Sequence, residues 1–379
     1  MKVLVVVTSA LSVESFLEGQ FNAFVKSGID VHLAVNTATV RRALPRGVTV
    51  HDMGFKREIS LSKDIKSLFK LIRLIKKIKP DIVHTHTPKA SLLGCFAARL
   101  CKVKAIIYHL HGLVAMEAGL EKKSVVSFVE RLPFKLSTHI LCVSASLQKW
   151  VVDHGYCQSS KISTLAHGSI CGVDTTEKYN VSKVKPIWPV ANDAPAQRFI
   201  VGYAGRVCVD KGIDDFLELL SILNSQADVF TGLIVGPIED AKYNNLNDIP
   251  NIVHIGYVSN VNEYIASFDV LVLLSKREGF GLVAAEANAL EIPVVCYQIP
   301  GLEDAVADGE SATLVKYQKI DAAVRAVWSY YSNSGLKERH GKAGRERVEH
   351  LFNPDVLTAC QINFYQSLIN HEVCNEKGI

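Results

Sequence analysis

Residues 269–298 read DVLVLLSKREGFGLVAAEANALEIPVVCYQ. The apolar run DVLVLLS leads into a turn bracketed by Gly279 and Gly281. An alanine-rich segment, GLVAAEANAL, and a second apolar run, PVVCYQ, follow. Short continuous apolar runs bounded by turn signals suit strands buried on both faces, and the segment between them suits a helix. Two parallel strands need a crossover of this kind, so the stretch predicts a β-α-β unit.

The alternation extends outward from there. Upstream, FIVGYAG, FTGLIVG and NIVHIGY read as strands, with GIDDFLELLSILNS and VNEYIASF as helices. The first half repeats the pattern. KVLVVVTS, DVHLAVN, DIVHTHT, AIIYHLHG and HILCVS are strands, and FLEGQFNAFVKSG, LSKDIKSLFKLIRLIKKIK and SLLGCFAARLCK are helices. Between about Asp174 and Arg198 the pattern fails, where VSKVKPIWPVANDAPAQ holds three prolines and no periodicity. The expected fold class is therefore α/β, with two tandem Rossmann-like domains whose parallel sheets face a central cleft. The expected boundaries are 1–174 for an N-terminal domain, 175–198 for a linker, 199–352 for a second domain and 353–379 for a C-terminal helix returning to the first. Ligands in such folds bind at the carboxyl ends of the strands.

The bulk properties agree. A chain of 379 residues exceeds what one ordinary core serves. Nine scattered cysteines with no C-x-x-C pair argue for a reducing compartment and against a disulfide framework or a cysteine-based zinc site. The apolar start MKVLVVVTSA runs into LSVESFLEGQ rather than a small-residue cleavage site, which predicts a buried first strand. No stretch approaches the roughly 20 apolar residues that span a bilayer. The expectation is a cytoplasmic protein. Charge is unevenly divided: residues 1–180 hold 25 Lys and Arg against 13 Asp and Glu, and residues 181–379 hold 17 against 25. The basic half suggests contact with an anionic surface or ligand.

Glu278 lies on the expected strand-to-helix loop and Glu286 inside the helix, so both can face the mouth of the sheet. The glycines at 279 and 281 allow close approach of backbone to ligand, and the helix start can receive an anion such as a diphosphate. GFGLVA also matches the dinucleotide fingerprint G-x-G-x-x-A, with Glu303 about 20 residues on, which keeps an NAD-dependent oxidoreductase open as an alternative. Against it, the motif comes several strands into its domain, and Glu278 would set a carboxylate beside the pyrophosphate. Two solvated surface glutamates are the plain alternative. After the first strand of the second half, GYAGRVCVDKGIDDF places Arg206 and Lys211 on one loop, where two cations can neutralise a departing diphosphate without a metal. A solvated loop would also carry such a pair.

Taken together, EGFGLVAAE, AGRVCVDKG, HLHG and GSICGVD, in their order along nearly the whole chain, resemble the retaining GT-B glycosyltransferases of family 4. The resemblance implies that Glu278 contacts hydroxyls of the donor sugar, that Glu286 holds the ribose hydroxyls, and that Arg206 and Lys211 bind the diphosphate. It places His111 near the reacting carbon, Phe280, Gly281 and Leu282 at the donor, and the backbone near Val258 at the base. The implied donor is a UDP-sugar carrying a hexose or N-acetylhexosamine, the implied acceptor a polyprenyl-diphosphate-linked glycan, and the setting bacterial surface-polysaccharide synthesis, O-antigen or capsule. No cofactor or metal is expected, and no D-x-D occurs in the chain. A nucleotide-sugar epimerase or a phosphorylase of the same fold, or a silent sugar-nucleotide-binding protein, stays open. Two departures stand out. The first strand-helix loop reads SALSVESFLEG without the Gly-Gly pair many members carry, and Glu291 and Ile292 replace the usual glycine before PVV.

Two further features need a reading. His84/His86 and His109/His111 are H-x-H pairs whose alternate residues share a strand face. Zinc is conceivable there, but no carboxylate or cysteine lies at ligand spacing, so cleft lining or packing is the preferred role. The helix around residues 64–79 sets Ile65, Leu68, Phe69, Ile72 and Ile75 on an apolar stripe beside Lys66, Lys70, Arg73, Lys76, Lys77 and Lys79. It reads either as a sheet cover with a solvated basic face or as a contact for anionic lipid, placing the protein peripherally on the inner face of the plasma membrane. Nucleic acid is not expected, because no aromatics interleave with the cations.

Overall fold

The computed structural model describes residues 1–39, 46–56, 60–116, 125–188 and 198–376. The chain forms two compact units, Met1–Cys171 with Pro354–Ile379, and Gly172–Asn353. In the first unit the elements run β1 (Lys2–Ser9), α1 (Ala10–Phe16), α2 (Glu18–Lys26), β2 (Asp30–Asn36), β3 (Thr49–Asp52), α3 (Leu61–Ile78), β4 (Ile82–Thr85), α4 (Pro88–Leu100), β5 (Ala105–Leu110), α5 (Val125–Leu136), β6 (His139–Cys142), α6 (Ala145–Asp153) and β7 (Ile162–Thr164). In the second they run β8 (Phe199–Ala204), α7 (Ile213–Gln226), β9 (Phe230–Val235), β10 (Ile252–Ile255), α8 (Val261–Ile265), β11 (Val270–Leu273), α9 (Leu282–Ala289), β12 (Val294–Tyr297), α10 (Leu302–Ala305), β13 (Ala312–Val315), α11 (Ile320–Ser332) and α12 (Ser334–Leu351). A last helix, α13 (Pro354–Glu376), belongs to the first unit.

The first sheet has the order β3-β2-β1-β4-β5-β6-β7 and the second β10-β9-β8-β11-β12-β13. Neighbouring strands pair in parallel throughout. Both orders reverse once, between β1 and β4 and between β8 and β11, which opens a crevice at the carboxyl edge of each sheet. Helices on both faces explain why β1, β5, β8 and β11 are apolar almost without interruption: Val3 to Val7 and Val270 to Leu273 are each at most 2% exposed.

Three details differ from the sequence reading. The strands β3, β7 and β13 were not anticipated; they are three or four residues long, too short to show a period, and lie at sheet margins. Residues 175–188, read as linker, are packed on the second unit: the Ile187 N–H donates to Glu263 O, Asn262 Nδ2 donates to Lys178 O, and Tyr179 is buried. Hydrogen bonds to α8 hold this stretch, and periodicity cannot reveal them; residues 189–197 of the expected linker lie outside the described residues. Third, α3 buries a different stripe. Ser67, Leu71, Leu74 and Ile75 face inward, while Ile65 and Phe69 are 52% and 58% exposed. The helix carries more apolar residues than one face can bury. Packing on α4, and the bond from Ser67 Oγ to Met53 O, select the face.

Candidate active site

The second sheet places its crevice between the loops after β8 and β11, and these two loops are stitched together residue by residue. The Lys276 N–H donates to Asp210 O at 3.0 Å. Arg277 donates to Asp210 Oδ2 at 3.0 Å, and Lys211 Nζ donates to Glu278 Oε1 at 2.7 Å. Arg206 donates to the same Asp210 oxygen at 3.5 Å and to Glu239, which follows β9. Gly212 makes this approach feasible: its φ is +74°, and a Cβ there would lie 1.9 Å from Leu274 O. Burial works to raise the Asp210 carboxyl, but the Cys208 thiol and the charges of Arg206, Arg277 and Lys211 outweigh it and hold the group below the usual carboxylate range. Burial together with Asp210 pushes the Cys208 thiol up to about 11, so it stays a neutral donor.

Glu286 sits in α9, whose start is capped by Gly281 in the left-handed region at φ +81°, with no side chain on the cap. Burial lifts the Glu286 carboxyl above the usual range, opposed by the Tyr179 hydroxyl and the Lys178 charge. A carboxylate held this way, with two acceptor oxygens, suits a pair of neighbouring hydroxyls. Val258 is half-buried on the loop after β10, beside Tyr257, which is 60% exposed. Leu282 is half-buried at the first position of α9. The Phe280 ring is buried and packs edge-on against Phe352, with centroids 5.0 Å apart. The dinucleotide match at 279–284 follows β11, the fourth strand of its unit in chain order, rather than β8.

His111 lies just past β5 in the first unit, as the end of a four-imidazole cluster. Parallel pairing sets His84 level with Ile107 and so brings His86 level with His109. His86 Nδ1 and His111 Nε2 are 3.1 Å apart, as are His84 Nε2 and His109 Nδ1. His84 also bonds the Tyr365 hydroxyl of α13, which Gln361 supports at 2.8 Å. Burial, reinforced by neighbouring imidazoles, holds His84, His86 and His109 well below their ordinary value, and burial lowers His111 to about 4. These are neutral hydrogen-bonding groups at neutral pH. Ring nitrogens of His84, His86 and His109 lie within 4.8 Å of one another, and the His84–His109 contact engages one nitrogen of each of those two rings.

Comparison with known proteins follows this geometry. A family model described as Glycosyltransferase Family 4 matches residues 13–173, and one described as Glycosyl transferases group 1 matches residues 184–347. The capsular polysaccharide biosynthesis glycosyltransferase CapM of Staphylococcus aureus is 30% identical over 365 residues, covering 94% of this chain and 94% of its own. The chain belongs to the family 4 glycosyltransferases. A second relative of the glycosyltransferase is the Escherichia coli UDP-Gal:alpha-D-GlcNAc-diphosphoundecaprenol alpha-1,3-galactosyltransferase, 29% identical over 281 residues, covering 72% of this chain and 71% of its own. The crystal structure of Anabaena HepE in complex with UDP-glucose matches with TM-score 0.75 at 16% identity, over 97% of this chain and 100% of that one. That likeness is one of fold, and the glycosyltransferase has the GT-B fold. The family and the strand position of the fingerprint both disfavour the oxidoreductase alternative.

The residues that the sequence reading of this glycosyltransferase missed are Asp210, Glu239, Arg277 and Tyr179. Asp210 and Arg277 stand one residue before Lys211 and Glu278, and that adjacency was the available signal. Glu239 and Tyr179 carried none, because only folding brings them to Arg206 and Glu286.

Proposed function

We propose that this glycosyltransferase moves a hexose or N-acetylhexosamine from a UDP-sugar to a polyprenyl-diphosphate-linked glycan during synthesis of a bacterial surface polysaccharide. The observation that carries the reading is the meeting of the loops bearing Arg206, Lys211 and Glu278 at the crevice of the second sheet, with Glu286 in α9, the helix that follows the Glu278 loop. The cations supply a diphosphate site, Glu278 turns toward sugar hydroxyls, and Glu286 takes the ribose. The relatives named for capsule synthesis and for a diphosphoundecaprenol acceptor support this choice of pathway. His111, being neutral, is proposed as a hydrogen-bond partner of the transferred sugar. We infer retention of configuration: the leaving diphosphate oxygen takes the acceptor's proton as that hydroxyl attacks the same face. The protein's part is positioning and electrostatic stabilisation.

Calorimetric titration with UDP tests the site. Glu286→Ala is expected to weaken UDP, and Glu278→Ala to reduce turnover while sparing UDP affinity. Equal UDP affinity in wild type and Glu286→Ala would overturn the ribose assignment.

An acceptor of this kind lies in a membrane, and no described helix is long and apolar enough to cross one. The proposed contact is peripheral, through α3, which exposes Lys66, Arg73, Lys76 and Lys77 together with Ile65 and Phe69. Each cation near an anionic leaflet contributes about 1 kcal/mol. Replacing Lys66, Lys70, Arg73 and Lys77 by Glu is expected to abolish sedimentation with anionic vesicles and leave UDP binding intact. A variant that sediments like wild type removes α3 from this role.

A further inference from the structure

We propose that Arg277 is a third cation for the donor's diphosphate, and that Asp210 is the positioning residue that holds it beside Arg206. This rests on the donor reading above and deepens it. Two guanidinium groups from different loops converge on one oxygen, Asp210 Oδ2, at 3.5 Å for Arg206 and 3.0 Å for Arg277. The carboxylate is further fixed by Cys208 Sγ at 2.8 Å on its other oxygen. Each cation of the crevice thus has a carboxylate partner within the protein: Glu239 and Asp210 for Arg206, Asp210 for Arg277, Glu278 for Lys211. The shared Asp210 oxygen holds Arg206 and Arg277 side by side, and Lys211, next to Asp210 in the chain, is held by Glu278.

Arg277 shows a need for another acceptor. Its Nε is buried and has no hydrogen-bond partner among the described residues, and the same holds for the hydroxyl of Ser275 two residues earlier. Buried donors without an acceptor are uncommon and destabilising. Here two lie on the loop that carries Glu278. Arg277 is 28% exposed, so part of the guanidinium remains reachable from the crevice. A guanidinium offers five donors in a planar fork, so it can keep Asp210 on one edge while giving another to a phosphate.

The alternative is that the Arg277–Asp210 pair only ties the two loops. The nucleotides UDP and UMP separate these roles, because a loop tie affects both and a cation for the second phosphate affects UDP alone. Arg277→Met is expected to weaken UDP by about 10-fold or more, the scale of a lost hydrogen bond to a charged group, while changing UMP little. Arg277→Lys should recover part of the loss. Asp210→Asn should weaken UDP several-fold in wild type and by less in the Arg277→Met background, where only its longer bond to Arg206 remains to be lost. The assignment is overturned if Arg277→Met binds UDP as wild type does while Arg206→Met loses it, or if Arg277→Met weakens UDP and UMP equally. A wild type that binds neither nucleotide overturns the donor reading itself.

Discussion

Acidification should destabilise the first unit through its histidine cluster, and the size of the effect follows from burial. His111 titrates at about 4 when folded, because burial penalises the imidazolium; His84, His86 and His109 are also held well below the ordinary value, again by burial first. In the unfolded chain all four take up protons near pH 6.5. Their contribution to stability is therefore full above that pH and is lost as pH falls toward the folded values. For His111 alone the loss between pH 7.5 and 5.5 is on the order of 1 kcal/mol, and each of the other three adds in the same direction. The four contributions share one sign, so stability of the first unit falls more steeply with acid than a single titrating imidazole would make it. Scanning calorimetry at several pH values, with α6 Trp150 fluorescence marking the first unit, measures it. His109→Gln removes one titrating group, so it should lower stability at pH 7.5 and flatten the slope by roughly one proton. A first-unit transition that is insensitive to pH between 7.5 and 5.5, or a slope unchanged in His109→Gln, refutes the reasoning.

Other consequences are narrower. Gly212→Ala would force a methyl group to within 1.9 Å of Leu274 O, and should cost about 1–3 kcal/mol while separating Lys211 from Glu278; unchanged melting and unchanged UDP affinity would show that the loops do not depend on this contact. Glu291 holds φ +61°, where a side chain is strained, so Glu291→Gly should raise stability by up to about 1 kcal/mol after glycine's own entropy cost; a lower melting temperature counts against it. Sugar transfer is expected to persist in excess chelator, because Arg206 and Lys211 supply the positive charge; activity lost in chelator and restored by Mg²⁺ or Mn²⁺ would show the opposite.

Much of this protein was determined locally along the chain. Continuous apolar runs such as residues 269–275 can be strands only if both faces are covered, and helices between them then require a parallel sheet. Two domains followed from the length and from the proline-rich break. The glycines at 279 and 281, the cations at 206 and 211 and the carboxylates at 278 and 286 could be picked out as candidates because strand-helix loops carry ligand sites and because their spacing resembles a known family. What the tertiary structure decided is who meets whom. The apolar residues of α3 are too many for one face, so the sequence could not choose between Leu71 and Phe69; contact with α4 did. Residues 175–188 lack any period, yet hydrogen bonds to α8 hold them and bring Tyr179 to Glu286. Asp210, Glu239 and Arg277 are unremarkable charges in sequence. They become one site with Arg206 because the strand order reverses between β8 and β11, bringing residues 67 positions apart to 3.0 Å. Pairing over such separations is set by sheet register and chain reversal, which no local pattern encodes.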